Sequence, residues 1–180
     1  MSGRFLDGET KQKIRRSRIR RKVAVSTISQ GTLGLIIAAV ILLNLFTHVL
    51  QVVRYNGRGM EPNLHSGQML MIRKTQEVES GDMIAFYYNN QILVRRVICT
   101  GGQQISIDQE GIVSVNSEPL EEAYLTEHSL GQCNISFPYM VRKDCVFVMG
   151  DNRVVAMDSR LEEIGPVSME RIIGKVIFAI

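Results

Sequence analysis

Charged residues are absent between Val23 and Val53, and this gap is the first informative feature of the sequence. Within it, Leu33–Phe46 is apolar at every position except Asn44. A helix that spans a bilayer needs roughly 20 mostly apolar residues, and Gly31–Val53 supplies that length. A cleaved signal peptide would also need small residues after the apolar run, and Thr47–Gln51 offers none. We therefore predict an uncleaved transmembrane helix within residues 23–53 rather than a helix buried in a globular core.

Acidic residues are absent from a second stretch, Lys11–Lys22, where eight of twelve residues are Lys or Arg. Because basic residues beside a membrane helix stay in the cytoplasm, this cluster predicts that the N-terminus is inside and the C-terminus outside. A nucleic-acid-binding arm is the alternative, but the adjacent apolar segment explains the charges better. The prediction is a cytoplasmic tail (1–22), a single-pass anchor in the lipid bilayer of the cell membrane (23–53) and an extracytoplasmic domain (54–180).

The net charge of the chain divides at the same place. Residues 1–22 carry nine basic and two acidic side chains, a net +7, whereas residues 23–180 carry twelve basic and sixteen acidic ones, a net −4. A mildly acidic exported domain predicts no nucleic-acid partner.

Cysteine and histidine are scarce, with three of each. The histidines, at positions 48, 65 and 128, are scattered, and no Cys or His spacing is typical of a metal site, so we predict neither metal nor cofactor. Cys99 lies in an apolar run, which favours a small buried side chain. Cys133 and Cys145 are a candidate disulfide on the oxidising side of the membrane, and the sequence leaves that pairing open.

Helical periodicity is missing from the region after residue 54, where only Ser168–Arg171 favours a single helical turn. Short runs rich in β-branched and aromatic residues recur instead, separated by Gly, Asn, Asp and Pro. This pattern predicts a mainly β domain of antiparallel strands in a barrel or packed sheets, not a parallel α/β fold. The predicted strands are Met69–Ile72, Met83–Tyr88, Ile92–Ile98, Ile105–Ile107, Ile112–Val115, Val146–Met149 and Ile172–Ile177.

Four segments of this domain form an ordered series of motifs. They are Gly57–Leu64 (GRGMEPNL); Gly81–Phe86 (GDMIAF) with Leu93–Ile98 (LVRRVI); Val115-Asn116 with Tyr124; and Gly150–Arg153 (GDNR) with Asp158–Arg160 (DSR). The series resembles the type I signal peptidases, membrane-anchored serine endopeptidases that remove signal peptides from exported proteins. The short anchor and compact domain resemble the Gram-positive members. GDNR…DSR is the most specific of the four.

The resemblance implies a Ser/Lys catalytic dyad in an antiparallel β fold, and three positions of this chain depart from it. Gly59 stands at the position of the nucleophilic serine, Arg95 at that of the general-base lysine, and Ala156 at that of the serine that orients the lysine. A serine needs a base to become a nucleophile, and burial can keep lysine neutral but not arginine. The neighbouring pair His65 and Ser66 does not replace the dyad, because adjacent residues of an extended segment point to opposite faces.

The same resemblance implies a peptide groove and a supporting scaffold. The groove residues carried over are Gly57, Met60, Pro62, Asp82 and Phe86. The scaffold residues are Gly150, Asp151, Asn152, Arg153, Asp158, Ser159 and Arg160. Arg95 would bring a cation into the groove, where it either binds a carboxylate of a ligand or pairs with an internal acid such as Asp158.

Two functions follow from this resemblance. The first is an inactive homologue that acts as a binding or assembly factor for exported proteins or signal peptides. In this it resembles the signal-peptidase-like proteins encoded with pilus genes, whose partners are pilin and sortase. The second is an active signal peptidase whose site is rewired or completed by a partner. We favour the first, because three parts of one catalytic device are replaced together; deliberate inactivation of the chain remains a third reading.

Overall fold

A computed structural model describes residues 32–44, 46 and 48–180, and the chain divides into two compact units, Met1–Thr47 and His48–Ile180. In the first unit, residues 32–44 and 46 are helical, and large apolar side chains such as Leu35 and Leu42 are exposed. Among the described residues, no helix is both long and apolar enough to cross a membrane. The predicted tail (1–22) and residues 23–31 of the predicted anchor lie outside the described residues.

The second unit consists of eleven short strands and one turn of 3-10 helix, Met169–Arg171. The strands are β1 (Leu50–Arg54), β2 (Met69–Arg73), β3 (Met83–Tyr88), β4 (Gln91–Thr100), β5 (Gln104–Ile107), β6 (Val113–Val115), β7 (Glu118–Pro119), β8 (Tyr139–Met140), β9 (Cys145–Met149), β10 (Val167–Ser168) and β11 (Ile172–Ala179). They form a seven-stranded sheet in the order β1-β2-β11-β3-β4-β9-β10 and a four-stranded sheet in the order β7-β6-β5-β8. Every pairing is antiparallel. The predicted mainly β, antiparallel fold is confirmed.

The predicted anchor is wrong at its C-terminal end, because Leu50–Arg54 forms strand β1 instead of helix. Val52 lies opposite Met71 of β2, and the partly buried Val53 packs against a hydrophobic core. An uncharged sequence with two adjacent valines suits either a strand or the end of a membrane helix. Pairing with β2 decides between them, and the folded domain therefore begins at His48 rather than at residue 54.

Two tight hairpins set the register of the strands. Asn89 and Asn90 join β3 to β4 with φ of 44° and 60°, and Asn116 and Ser117 join β6 to β7 with φ of 51° and 70°. Two-residue turns with positive φ match the twist of antiparallel strands, and asparagine tolerates this conformation better than most residues. The first hairpin fixes β4, which carries Arg95 opposite Ile84 of β3.

Three hydrophobic cores hold the unit together. One packs the central sheet around Phe86 and Val148, and another includes Ile98 and Phe147 together with residues of the four-stranded sheet. The third holds Tyr55, Met60, Leu64, Leu70, Ile72, Ala85 and Val94. Burying each large apolar side chain contributes roughly 1.5–3 kcal/mol. Because Met60 and Leu64 belong to the third core, the loop between β1 and β2 has a fixed position over β3 and β4.

Cys99, Cys133 and Cys145 are all free thiols. Cys99 is fully buried, as predicted from its apolar surroundings. Cys145 lies in the core at the start of β9, whereas Cys133 is partly exposed in the loop before β8 and contacts the carbonyl oxygen of Ile135 at 3.6 Å. The candidate disulfide between Cys133 and Cys145 is therefore not formed.

Candidate functional site

The first motif segment, Gly57–Leu64, is a tight loop fixed by hydrogen bonds to itself and to Tyr55. Gly57 has a φ of 144°, which favours glycine. The backbone N–H of Met60 donates to the hydroxyl oxygen of the buried Tyr55 (3.1 Å), and the N–H of Leu64 donates to the carbonyl oxygen of Met60 (2.9 Å). The loop therefore presents Gly59 at one defined position.

Gly59 lies in the wall of a cavity of about 270 Å³. Three segments line this cavity: Tyr55–Gly59, Ile92–Arg95 of β4, and Val155 with Met157. Its walls include five apolar side chains (Ile92, Leu93, Val94, Val155 and Met157) and two arginines, Arg58 and Arg95, and no acidic side chain. Arg58 is largely exposed and pairs with Glu61 at 3.4 Å.

Arg95 is only 6% exposed, although it carries a full positive charge. Its Nε donates to the carbonyl oxygen of Met157 (2.8 Å), and its Nη1 donates to the carbonyl oxygen of Val94 (2.6 Å). Burial lowers the pKa of Arg95, while the nearby Asp158 carboxylate and the Tyr55 hydroxyl act in the opposite direction. Burial also raises the pKa of Tyr55, so the neighbouring phenol is neutral near neutral pH. The hydrogen bonds of Arg95 therefore run to neutral groups, while the nearby Asp158 carboxylate favours its charged form.

Gly59 and Arg95 are complementary in shape. A Cβ atom on Gly59 would lie 3.1 Å from both Cζ and Nη2 of Arg95 and 3.2 Å from its Nη1. In proteins, nine in ten contacts made by Cβ atoms are longer than this 3.0–3.4 Å range. The guanidinium thus occupies the space into which a side chain at position 59 would project.

The loop after β9 completes the site. The N–H of Asn152 donates to the carbonyl oxygen of Gly59 (3.0 Å), and the N–H of the buried Ala156 donates to the carbonyl oxygen of Asn152 (3.1 Å). A Cβ on Gly150 would clash with both Ala156 Cβ and the Gly59 carbonyl oxygen, so this close approach requires glycine. The predicted positions Gly59, Arg95 and Ala156 therefore converge, although they lie far apart in the sequence.

A buried ion pair supports this loop from within. Arg160 donates to both oxygens of Asp158, at 2.8 and 2.7 Å, and both side chains are fully buried. Asp158 also accepts from the N–H of Gly150 (2.9 Å), and the Ser159 hydroxyl accepts from the N–H of Val148 (3.0 Å). Asp158 therefore pairs with Arg160 and lies beyond ion-pair distance of Arg95, although its carboxylate still raises the pKa of Arg95.

A second network joins the loop to two other motif segments and to Glu122, which the sequence did not single out. Asp151 accepts two hydrogen bonds from Arg96 (2.9 and 2.6 Å) and one from Asn63 (2.8 Å). The buried Arg153 pairs with the buried Glu122. These contacts hold Gly150–Arg153 to β4, to the first motif segment and to the loop that contains Glu122.

Tyr124 forms the outer part of this network. Its hydroxyl donates to Glu122 (2.6 Å), and the guanidinium carbon of Arg96 lies 4.1 Å from the centroid of its ring. Burial and the Glu122 carboxylate raise the pKa of Tyr124. Its place among the sequence motifs therefore has a structural basis. Arg96 and Asn63 lie within motif segments, but their partners are 55 and 88 residues away and could not be inferred from them; Glu122 lies outside the motifs altogether.

The predicted groove residues need correction. Gly57 lines the cavity, but Met60 and Phe86 are completely buried in hydrophobic cores and cannot contact a ligand. Asp82 pairs with Lys175 (2.7 Å) at the start of β3, and Pro62 lines a different cavity. The strand that flanks the cavity is β4, through Ile92–Arg95, and not the predicted segment Asp82–Phe86.

His65 and Ser66 are both exposed, and the Ser66 hydroxyl accepts from the N–H of Gly57 at 3.4 Å. Within the described residues, no group of three or more His, Cys, Asp or Glu side chains could hold a metal ion.

Comparison with known proteins agrees with the sequence motifs. The chain matches the family described as "Signal peptidase, peptidase S26" over residues 28–180. It is 32% identical over 138 residues to signal peptidase I of Bacillus caldolyticus, which covers 68% of this chain and 74% of the relative. It is 30% identical over 153 residues to signal peptidase I T of Bacillus subtilis (strain 168), covering 77% and 78%. A crystal structure of a signal peptidase I from Enterococcus faecalis V583 aligns with a TM-score of 0.48 and 24% identity, covering 56% of this chain and 97% of that one.

The family match and the two Bacillus relatives confirm the resemblance inferred from the motifs. The chain belongs to the signal peptidase family, peptidase S26.

Proposed function

We propose that this protein is a membrane-anchored signal peptidase homologue that binds extended segments of exported proteins and does not cleave them. The observation that carries the proposal is the packing of the Arg95 guanidinium against Gly59, at the two positions where the motifs place the nucleophile and the base. Ala156, at the third position, contributes a methyl group.

The chemistry of these side chains does not support peptide hydrolysis. Acyl transfer by a serine enzyme needs a hydroxyl and a base that can take its proton. Gly59 and Ala156 offer neither, and a guanidinium with a pKa above 12 would cost on the order of 7 kcal/mol to neutralise near pH 7. Burial lowers the pKa of Arg95, but documented shifts of about 3–5 units leave an arginine protonated near neutral pH.

Peptide binding has separate support from the strand pairing. Residues 91–96 of β4 pair with β3, but β4 pairs with β9 only from Arg96 onward. On its other side, Gln91–Arg95 therefore pairs with no strand in the described part of the chain. This side faces the cavity shared with Gly57 and Gly59. A peptide that binds as an additional strand gains affinity from backbone hydrogen bonds and specificity from side-chain pockets. Such binding does not depend on the missing dyad.

The proposed location is the outer face of the cell membrane. The basic segment Lys11–Lys22 followed by an uncharged segment supports an anchor with its N-terminus in the cytoplasm. Within the folded unit, Val52 lies opposite Met71, which lies opposite Phe178. Residues directly opposite in antiparallel strands share a face. Val52 and Phe178 are 54% and 57% exposed, so this row of apolar side chains suits contact with a lipid surface.

The proposed partners are exported proteins or their signal peptides. The resemblance to signal-peptidase-like proteins encoded with pilus genes extends the proposal to pilin and sortase. Pilin and sortase genes beside the gene for this chain would support that role. If no second, intact signal peptidase existed in the same genome, the non-cleaving function would be contradicted.

An active signal peptidase is the second candidate, and one observation favours it. The relatives at 30–32% identity are named signal peptidases, and the scaffold of buried ion pairs around the site is complete in this chain. Such an enzyme would need its nucleophile and base from another protein.

A cleavage assay separates the two candidates. The full-length protein in detergent is incubated with a signal-peptide substrate, beside the triple variant Gly59→Ser, Arg95→Lys, Ala156→Ser and an active relative as positive control. We expect no cleavage by the unmodified chain. Cleavage by the triple variant alone would show that the groove is intact and only the dyad is missing. Cleavage by the unmodified chain would overturn the proposal.

A further inference from the structure

We infer that the cavity beside Gly59 binds the carboxylate of an extended peptide, with Arg95 as the group that recognises it. This inference rests on the proposed peptide-binding function and names the chemistry of the ligand. Its starting point is the burial of Arg95. This side chain is only 6% exposed, and it takes part in none of the ion pairs among the described residues.

The other buried arginines of the domain each have a carboxylate. Arg153 pairs with Glu122 and Arg160 with Asp158, and the half-buried Arg96 pairs with Asp151. A buried charge is normally paired because removing it from water without a partner is costly. Arg95 differs from all three, because no carboxylate of the described residues lies within ion-pair distance of it. Its hydrogen bonds run to the carbonyl oxygens of Met157 and Val94 and it interacts with the Tyr55 hydroxyl, while the nearby Asp158 pairs with Arg160.

The surroundings of Arg95 also favour an anion from outside. It lines the cavity of about 270 Å³ with Arg58, without an acidic side chain in the lining. Its Nη1 and Nη2 pack against Gly59, and both residues line this cavity, so the guanidinium borders the space that a ligand would enter. Guanidinium and carboxylate match in geometry and can form two parallel hydrogen bonds.

The peptide that carries the carboxylate is defined by the walls. Ile92, Leu93, Val155 and Met157 all line this cavity of about 270 Å³, so it suits small apolar side chains. The unpaired side of β4 ends at Arg95, since pairing with β9 begins at the next residue. A peptide added along Gln91–Val94 and parallel to β4 would therefore bring its C-terminal end to Arg95, where a C-terminal carboxylate is the ligand group that fits. An Asp or Glu side chain carries the same chemistry.

Three peptides test the inference. Each is a short peptide with fluorescein at its N-terminus, ending in Ala-Ser-Ala as the free acid, in Ala-Ser-Ala as the C-terminal amide, or in Ala-Ser-Asp as the C-terminal amide. Binding to the full-length protein in detergent micelles is measured by fluorescence anisotropy near neutral pH. We expect the free acid to bind at least about tenfold more tightly than the amide, which corresponds to about 1.4 kcal/mol.

Two variants assign the preference to a residue. Arg95→Gln should remove the difference between acid and amide, whereas Arg142→Gln, the same change at an exposed arginine beside another cavity, should keep it. Thermal unfolding of each variant shows whether it is folded. If Arg95→Gln does not fold, the comparison of acid with amide on the unmodified protein still decides the ligand chemistry.

The outcomes separate the inference from the proposed function. Equal binding of acid and amide would overturn the carboxylate inference and leave peptide binding intact. Binding of none of the peptides would contradict both. A preference for acid that survives Arg95→Gln would overturn the role of Arg95, and tight binding of the Asp-containing amide would identify a side chain as the natural source of the carboxylate.

Discussion

The guanidinium carbon of Arg95 lies 3.1 Å from the point that a Cβ atom on Gly59 would occupy. Neither residue accounts for this arrangement alone. A larger residue at 59 would press on the buried cation, and a smaller side chain at 95 would leave empty space in front of the glycine. The two residues therefore pack as a pair, and the effects of substituting them on stability should not be additive.

The coupling between these residues can be measured. Gly59 has no positive φ, so alanine fits its backbone, and Gly59→Ala should cost about 1–2 kcal/mol of unfolding free energy through overpacking alone. In the Arg95→Lys variant, the thinner and more flexible lysine side chain can move away from position 59. Gly59→Ala should then leave the free energy of unfolding unchanged or raise it by about 0.5 kcal/mol. Urea unfolding of the unmodified protein, the two single variants and the double variant gives the coupling energy. An equal loss of unfolding free energy on Gly59→Ala with Arg95 and with lysine at position 95 would contradict the contact.

Asp158 should be essential for folding. Asp158→Asn removes the carboxylate that pairs with Arg160 and so leaves a fully buried arginine without its counter-ion. Breaking such a pair costs about 3–5 kcal/mol. The matched change Asp144→Asn, at an exposed position, should stay within about 0.5 kcal/mol of the unmodified protein. Thermal or urea unfolding compares the two, and similar stabilities would rule out the structural role of Asp158.

Gly150 should not tolerate a side chain. Gly150→Ala would place a methyl group against Ala156 Cβ and the Gly59 carbonyl oxygen, forcing the loop away from the first segment. We expect a loss of about 3 kcal/mol. Adding Ala156→Gly removes one of the two clashes and should recover part of this loss. Unfolding free energies of the single and double variants provide the comparison, and a double variant no better than Gly150→Ala would contradict the contact with Ala156.

The three cysteines should differ in reactivity. Burial raises the pKa of the Cys99 thiol from 9.0 to about 12, so almost no thiolate exists at pH 8. Iodoacetamide should label the partly exposed Cys133 and spare Cys99 and Cys145 in the native protein. Mass spectrometry gives the sites, with a urea-unfolded control in which all three react. An unreactive Cys133 in the absence of reductant would indicate a disulfide instead.

The same thiol predicts a dependence of stability on alkaline pH. The unfolded Cys99 ionises near 9.0 and the folded one at about 12, so the unfolded chain releases its proton first. The free energy of unfolding should therefore fall as pH rises from 9 toward 12. Cys99→Ala lacks this group and should show a shallower decline in urea unfolding across that range.

Much of the fold could be read from the sequence. All seven predicted strands are present and no end is shifted by more than two residues, because their β-branched runs and turn residues act locally. Strand β1 was assigned to the anchor, since uncharged apolar residues suit a membrane helix and a paired strand equally. Strands β7, β8 and β10 have two residues each, and distant partners create them rather than their own sequence.

The site was predictable in its positions but not in its contacts. Motif spacing placed Gly59, Arg95 and Ala156, and the structure brings all three to one cavity wall or its immediate support. The sequence left the partner of Arg95 open, because motif spacing cannot show that Asp158 pairs with Arg160. Met60 and Phe86 were assigned to the groove for the same reason: a motif identifies a segment without showing which of its side chains point inward.

The contact between Gly59 and Arg95 also constrains the order in which this lineage can accept mutations. A serine introduced first at position 59 would press against the guanidinium of Arg95, which is held in place by its hydrogen bonds. It would therefore lower stability before the chain gained any catalytic group. A lysine introduced first at position 95 would clear that space and make the later serine tolerable. Any history that links this chain to serine-and-lysine relatives by single steps therefore passes more readily through a glycine-and-lysine intermediate than through a serine-and-arginine one.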